Sequence, residues 1–148
     1  MRRVAVLGLG RFGMRLAREL AQHKGVEVIA IDRDDKQVEM LKTELESVVC
    51  FDITEEQLLI EHGIGDVDVC VVAVGENFET TMFATLKVKK MGISRIIARA
   101  QTDQQAEILR RIGENQIEIV LPETEAARHW TRKLIHQQME DFFELDDS

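Results

Sequence analysis

Val4-Ala5-Val6-Leu7-Gly8-Leu9-Gly10-Arg11-Phe12-Gly13 is the stretch whose reading decides the fold of this chain. An apolar run of strand character stops at Gly8, and Met14-Arg15-Leu16-Ala17-Arg18-Glu19-Leu20-Ala21 continues as a helix. The glycines between them fall as G-x-G-x-x-G, and each spacing has a physical reason. Gly8 makes the tight strand-to-helix turn. Gly10 omits the Cβ that would block a pyrophosphate, and Gly13 lets the helix lie close against the strand. The helix N-terminus then offers free N–H groups and a partial positive charge to a phosphate. A short motif depends on its context, and here a strand precedes it, a helix follows, and Asp32 ends the next apolar run, placed to accept ribose hydroxyls. The plainer alternative is that these glycines serve only a tight turn.

At 148 residues the chain is one domain with enough length for a core of its own. It is 45% apolar and 31% charged with a single proline, the composition of a globular protein. No apolar run reaches the ~20 residues needed to cross a bilayer, so no direct membrane insertion is expected. The longest run, Val69 to Val74, reads as a buried strand. Met1-Arg2-Arg3 leads straight into a strand without a signal-peptide core, and the expected location is cytoplasmic. Cys50 and Cys70 lie in different predicted strands with no metal or redox spacing, and are expected to pack as small hydrophobes. The net charge of −8 argues against a nucleic-acid surface. Residues 1–33 nevertheless hold seven Lys/Arg against three Asp/Glu, whereas residues 140–148 hold five acids and no base. The basic end carries the glycine loop, which suits a small anionic ligand.

The remaining elements follow in order. Val26-Glu27-Val28-Ile29-Ala30-Ile31 is the second strand, near-continuously apolar as befits a sheet covered on both faces. Asp34 or Asp35 caps a helix through about Leu45. Ser47-Val48-Val49-Cys50-Phe51 is the third strand, ending at Asp52, and Thr54-Glu55-Glu56-Gln57 reads as a capping box for a short helix. His62-Gly63-Ile64-Gly65-Asp66 is a loop, and the fourth strand stops at Gly75. Asn77 caps a helix to about Met91, with Gly92 as its C-terminal punctuation. Ile96-Ile97-Ala98 centres the fifth strand, Thr102 caps the next helix, which ends near Gly113, and Ile117 to Leu121 is the sixth strand. Strand and helix thus alternate at roughly 20–25 residue spacing, the pattern of an α/β doubly wound parallel six-stranded sheet, Rossmann-like. The expected strand order is 3-2-1-4-5-6, with the ligand crevice at the carboxyl ends of strands 1 and 4.

Residues 1–121 form the expected Rossmann body, and residues 122–148 a C-terminal interaction helix and acidic tail rather than a separate domain. Pro122 suits a helix start, and Ala127, Trp130, Leu134, Ile135, Met139 and Phe142 give the helix an apolar stripe. Such a helix either closes the sheet or packs on a second subunit; Trp130 and Phe142-Phe143 favour a partner surface.

Strand-end residues carry the candidate chemistry. Asp32 repels a 2′-phosphate while the adjacent Arg33 would attract one, and an unphosphorylated ribose is favoured; Arg33 otherwise lies across the adenine or faces solvent. Asp52 and Ile53 flank an adenine in one reading, and Asp52 is a turn residue in the other. Ala73-Val74-Gly75-Glu76-Asn77 follows the fourth strand at the crevice, where Gly75 permits close approach and Asn77 caps a helix beside the ligand. Arg99 ends the fifth strand and Glu123 follows the sixth, both charged where a buried sheet exposes charge only at its ligand edge. For Glu123 the alternative is a carboxylate placed for the helix N-terminus. Arg11 opposes the helix macrodipole by about 0.3–1 kcal/mol, a penalty that an adjacent anion reverses. Arg11 therefore points to a terminal phosphate, as in ATP, against the alternative of a solvated side chain. The four histidines, His23, His62, His129 and His136, have no nucleophile or paired acid at useful spacing. With no second domain to present a substrate to a nicotinamide, the site is expected to bind rather than to catalyse. No catalytic residue and no metal ligand is assigned.

Gly8-Leu9-Gly10-Arg11-Phe12-Gly13, Asp32, Asp52-Ile53-Thr54, Ala73-Val74-Gly75 and Leu121-Pro122-Glu123, in that order, resemble the RCK (KTN, TrkA-N) nucleotide-binding domain. The resemblance covers residues 2–135, and the G-R-F-G version is similar to regulatory subunits of Ktr-type potassium transport. It implies a regulatory domain of potassium transporters or channels that binds an adenine nucleotide, ATP/ADP or NAD/NADH. Arg11 would contact nucleotide phosphate, Asp32 the ribose, and Asp52 with Ile53 the adenine, with Phe12 of the glycine loop also among the nucleotide-binding residues. Glu123 would sit near the nucleotide at a subunit interface, with or without a divalent cation. The final helix would cross to a neighbouring subunit, giving a homo-oligomer in which dimers build an octameric ring. That ring would lie on the inner face of the membrane against a potassium transporter or channel subunit. The chain departs from the family pattern at Phe51-Asp52-Ile53-Thr54, where G-D-A-T is common. Many members also carry a C-terminal lobe beyond the final helix, which this chain either lacks or was cut before. Two other readings remain: a fragment or subunit of an NAD-dependent oxidoreductase, and an NAD(H)-sensing regulator.

Overall fold

The computed structural model describes the backbone over residues 2–146 and the side chains over residues 2–137. Six strands form one sheet: Arg2–Leu7 (β1), Val26–Asp32 (β2), Ser47–Cys50 (β3), Val69–Val72 (β4), Arg95–Arg99 (β5) and Glu118–Val120 (β6). They lie in the order β3-β2-β1-β4-β5-β6, and every neighbouring pair is parallel. The helices are Arg11–Ala21 (α1), Asp35–Leu41 (α2), Glu56–Glu61 (α3), Phe78–Lys90 (α4), Asp103–Ile112 (α5) and Pro122–Asp146 (α6). This is the doubly wound α/β sheet expected from the alternation.

β1 is central because it pairs on both sides, Val4 with Val28 of β2 and with Val69 of β4. Its side chains are therefore buried alternately on two faces. Ala5 and Leu7 join Ile29, Ile31, Cys70 and Val72 beneath Leu59 of α3, Ala84 and Val88 of α4 and Leu109 of α5. Val4 and Val6 join Val28, Ala30 and Val71 beneath Met14 and Ala17 of α1 and Leu41 of α2. Burial of each such aliphatic side chain contributes about 1.5–3 kcal/mol. Two cores back to back fix the register of the central strands, since a one-residue slip would exchange them.

Several local expectations are corrected. α2 stops at Leu41, although Leu45 N–H still bonds the Leu41 carbonyl at 3.0 Å. The Thr54 capping box does not form. Thr54 donates its hydroxyl to Asp52 Oδ1 at 2.8 Å, and Glu55 takes the N-cap position of α3 without a side-chain cap bond. The loop after α3 contains one turn of 3₁₀ helix, Ile64–Asp66. The sixth strand is shorter than the apolar run, spanning Glu118–Val120. Cys70 packs in the core as expected, where burial pushes its thiol up to about 12. Cys50 does not: it is exposed at the end of edge strand β3, and its Sγ donates to the Arg33 carbonyl at 3.4 Å.

Pro122 opens α6 directly after β6, with Leu121 between them. Every described side chain from residue 125 to 137 is exposed, including Trp130, Leu134 and Ile135. Met139 and Phe142 of the expected stripe, and Phe143 beside it in sequence, lie outside the described side chains. No helix among the described residues is long and apolar enough to cross a membrane.

Candidate functional site

The turn from β1 into α1 is built as the glycines require. Gly8 has φ +97°, and a Cβ there would lie 2.8 Å from the Val74 nitrogen. At Gly13 a Cβ would lie 2.1 Å from the Gly8 carbonyl oxygen, so the fold itself excludes any larger residue. Gly10 is different. A Cβ there would stand 3.4 Å from the Gly75 Cα and nitrogen, an ordinary contact. Gly10 is the N-cap of α1 and provides no side-chain cap, and the first turn holds no acid. The first backbone bond of α1 runs from Met14 N–H to the Gly10 carbonyl at 2.8 Å. The N–H groups of Arg11, Phe12 and Gly13 therefore lack helical acceptors, as at any helix start. Exposed Arg11 adds a cation that makes no ion pair among the described residues.

Asp32 closes β2 beside this turn. Its Oδ2 accepts Leu9 N–H at 2.6 Å, and its Oδ1 accepts Asp34 N–H at 2.7 Å. The carboxylate thus braces the glycine loop and turns the chain into α2, where Asp34 accepts Lys36 N–H. Each oxygen retains a second lone pair for a hydroxyl donor. Asp52 sits across from it after β3, its Oδ1 accepting both the Thr54 N–H at 2.9 Å and the Thr54 hydroxyl. Those two bonds, Thr54 N–H foremost, hold its carboxyl below the usual 3.8. Burial opposes the shift, and the Arg33 and Lys87 charges add to it. Ile53 is buried in the core beneath α3.

On the other flank, Arg99 at the end of β5 is only 7% exposed. Its Nη1 donates to the Gly75 carbonyl at 3.0 Å and to the Val74 carbonyl at 3.5 Å, and its Nη2 pairs with Glu123 Oε1. Arg99 therefore ties the loop after β4 to the first turn of α6. Gln101 Nε2 donates to the same Gly75 carbonyl. Asn77 caps α4 as expected, accepting Thr80 N–H at 3.2 Å.

These groups surround one cavity of about 730 Å³ at the carboxyl ends of the strands. Of the residues assigned from sequence, Gly8, Gly10 and Arg11 line it from the glycine loop, and Asp32, Arg33, Asp52 and Ile53 from the β2 and β3 ends. Val74, Gly75, Asn77, Arg99 and Glu123 complete the opposite wall. Phe12, Gly13 and Ala73 are not brought to it. Phe12 turns back against the core under α1, Gly13 lies beneath Gly8, and Ala73 is fully buried. Leu9, Asp34, Gln37, Glu76, Thr80 and Gln101 also line the cavity without having been assigned. Gln101 was signalled by its spacing: two residues beyond Arg99, it falls on the same side of an extended segment. Thr80 lies one turn past the cap Asn77. The cavity thus combines unpaired helix N–H groups beside Arg11 with the carboxylates of Asp32 and Asp52 at separate stations, which suits a ligand with phosphate, sugar hydroxyls and a base. Among the described residues no cluster of His, Cys, Asp or Glu is grouped to hold a metal ion.

Residues 4–120 match the family described as the TrkA-N domain. Ktr system potassium uptake protein C of Bacillus subtilis (strain 168) is 34% identical over 143 residues, covering 97% of this chain and 63% of that protein. This chain thus spans less than two-thirds of that relative's length. The GsuK RCK domain structure superposes with a TM-score of 0.74 at 26% identity, over 93% of this chain and 29% of that one. The Shewanella denitrificans Kef CTD in AMP-bound form has a TM-score of 0.69 at 22% identity, over 99% of this chain and 93% of that one, a likeness of fold. This chain belongs to the TrkA-N domain family and is related to the Ktr potassium uptake proteins.

Proposed function

We propose that this TrkA-N domain is a nucleotide-binding regulatory module of a Ktr-type potassium uptake system. An adenine nucleotide, ATP/ADP or NAD/NADH, occupies the cavity at the carboxyl ends of β1 and β4. Its phosphates rest on the α1 N-terminus with Arg11, its ribose on Asp32, and its base between Asp52 and Ile53. The domain acts by binding and not by catalysis. Residues 1–121 hold the ligand, and residues 122–148 carry the contact to a second subunit, so that dimers assemble into a ring on the cytoplasmic side of a membrane potassium transporter. The ligand shifts that ring between two shapes through its differential affinity for them.

One observation carries this reading. The fold demands glycine at Gly8 and Gly13, but packing leaves room for a Cβ at Gly10. Close approach of a ligand to the loop gives that glycine its reason. The kinship with Ktr potassium uptake protein C and the AMP-bound state of the Kef domain support the choice of partner and ligand class.

The experiment is a calorimetric titration of wild type and Arg11→Ala with ATP, ADP and NAD. Wild type is expected to prefer ATP over ADP, and Arg11→Ala to lose that preference, about 1.5–3 kcal/mol for a charge-assisted hydrogen bond. ADP binding should remain, because the inner phosphates rest on backbone N–H groups. Tightest binding of NAD, with Arg11→Ala weakening every ligand equally or none, would turn the reading to a redox-cofactor sensor. Hydride transfer with a partner domain would turn it to an oxidoreductase subunit.

A further inference from the structure

The Gly75 carbonyl receives two side-chain donors, Arg99 Nη1 at 3.0 Å and Gln101 Nε2, both from the carboxyl end of β5. A surface-loop carbonyl is ordinarily left to water, and two fixed donors lock the orientation of its peptide. The Gly75–Glu76 peptide is trans, so the Glu76 N–H points opposite to the carbonyl. β5 lies on one side of β4 and β1 on the other. With the carbonyl turned toward β5, the N–H turns toward the glycine loop, and a Cβ on Gly10 would come within 3.4 Å of the Gly75 nitrogen and Cα. Among the described residues the Glu76 N–H has no protein acceptor.

We infer that Gln101 is a positioning residue that, together with Arg99, clamps the Gly75 carbonyl so that the Glu76 N–H is presented to an anionic oxygen of the ligand in the cavity. The inference rests on the nucleotide reading and adds to it a donor on the β4 side of the crevice, facing those of α1. The division of labour follows from the two side chains. Arg99 is buried and also bonds Glu123, so it is committed to the wall of the site. Gln101 is exposed, its backbone N–H is taken by Gln105 Oε1 at 2.9 Å, and its side chain is free to serve the peptide alone. Its removal should alter ligand binding without altering the fold. An unclamped peptide would rotate in the free protein, and the ligand would have to order it on binding.

The test uses Gln101→Met, which keeps side-chain length and removes the donor, and Gln101→Glu, which places an acceptor against the carbonyl. ADP is titrated into each protein by calorimetry, the ligand-free melting temperature is recorded, and the Glu76 amide of ¹⁵N-labelled protein is followed by NMR. The expected result is that ADP moves the wild-type Glu76 amide proton downfield. Gln101→Met should bind ADP about five- to tenfold more weakly, Gln101→Glu more weakly still, and the ligand-free melting temperature should stay within about 2 °C. Equal ADP affinity in wild type and Gln101→Met would overturn the clamp, as would a wild-type Glu76 amide that bound ADP leaves unmoved. Wild type that binds none of ADP, ATP and NAD would overturn the nucleotide reading and the clamp together. The wild-type titration distinguishes the two failures, and the wild-type amide shift remains decisive if a variant does not fold.

Discussion

Gly13 and Gly10 stand in one motif but answer to different demands. A methyl group at Gly13 would meet the Gly8 carbonyl oxygen at 2.1 Å, a clash with backbone that no rotamer relieves. Gly13→Ala is expected to cost about 3 kcal/mol in urea unfolding, the upper range for overpacking. Gly10→Ala is expected to change stability by less than about 0.5 kcal/mol while weakening nucleotide binding, since the backbone there has φ −71°. Equal destabilisation by the two would remove the argument for ligand approach at Gly10. Asp52 offers a pH signature. The Thr54 N–H and hydroxyl hold its carboxyl below 3.8, so its folded form binds a proton less readily than the unfolded chain. The stabilisation is therefore complete above that value and fades below it, as the pH falls toward the lower pKa of the folded form. Asp52→Asn should be less stable than wild type at pH 7, with the gap narrowing below pH 4. A gap independent of pH would assign the effect to shape alone. The glycine motif was legible because its causes are local, whereas the Asp52–Thr54 bonds stand where a capping box was expected. The burial of Arg99 was not legible, since the carbonyls of Val74 and Gly75 that draw its guanidinium inward belong to the loop after β4, remote in the chain.

Helix starts show the same division. Asn77 and Thr102 accept the backbone N–H groups of Thr80 and Gln105, as their positions before apolar-periodic segments indicated. Thr102→Ala is expected to cost about 1 kcal/mol by chemical denaturation, the usual worth of such a cap. A change below a few tenths would mean that water replaces the hydroxyl without loss. Thr54 matched its capping pattern equally well and yet caps nothing. Asp52, two residues earlier, takes both the hydroxyl and the N–H of Thr54 and folds the segment into a turn, so that Glu55 becomes the N-cap. A pattern of types cannot say whether a hydroxyl turns back to a neighbouring carboxylate or forward to a helix N–H. Strand ends were legible to within a residue or two because both faces of the sheet are covered, and an apolar run then stops where cover stops. The length of α2 was not, since Leu45 is buried in a turn that follows the helix.

At the scale of the whole molecule, the doubly wound sheet followed from alternation and a handedness rule. The destination of α6 could not, because a stripe of apolar side chains says only that something covers it. Trp130, Leu134 and Ile135 are 57%, 60% and 57% exposed, along a stretch where every described side chain is open. Sedimentation at micromolar concentration is expected to show a dimer or larger species. Leu134→Asp should weaken that association more than tenfold, in line with about 2 kcal/mol for a central interface side chain. A monomeric wild type would overturn the assignment of α6 to a subunit contact. The chain has one tryptophan and no tyrosine, so its only indole stands on this helix, away from both cores. Intrinsic fluorescence is consequently almost blind to melting of the sheet and sensitive to whatever covers α6. Emission should shift to the blue on association and back to the red on dilution, while far-ultraviolet dichroism stays level. The two optical signals separate assembly from folding in a single cuvette, with no label attached.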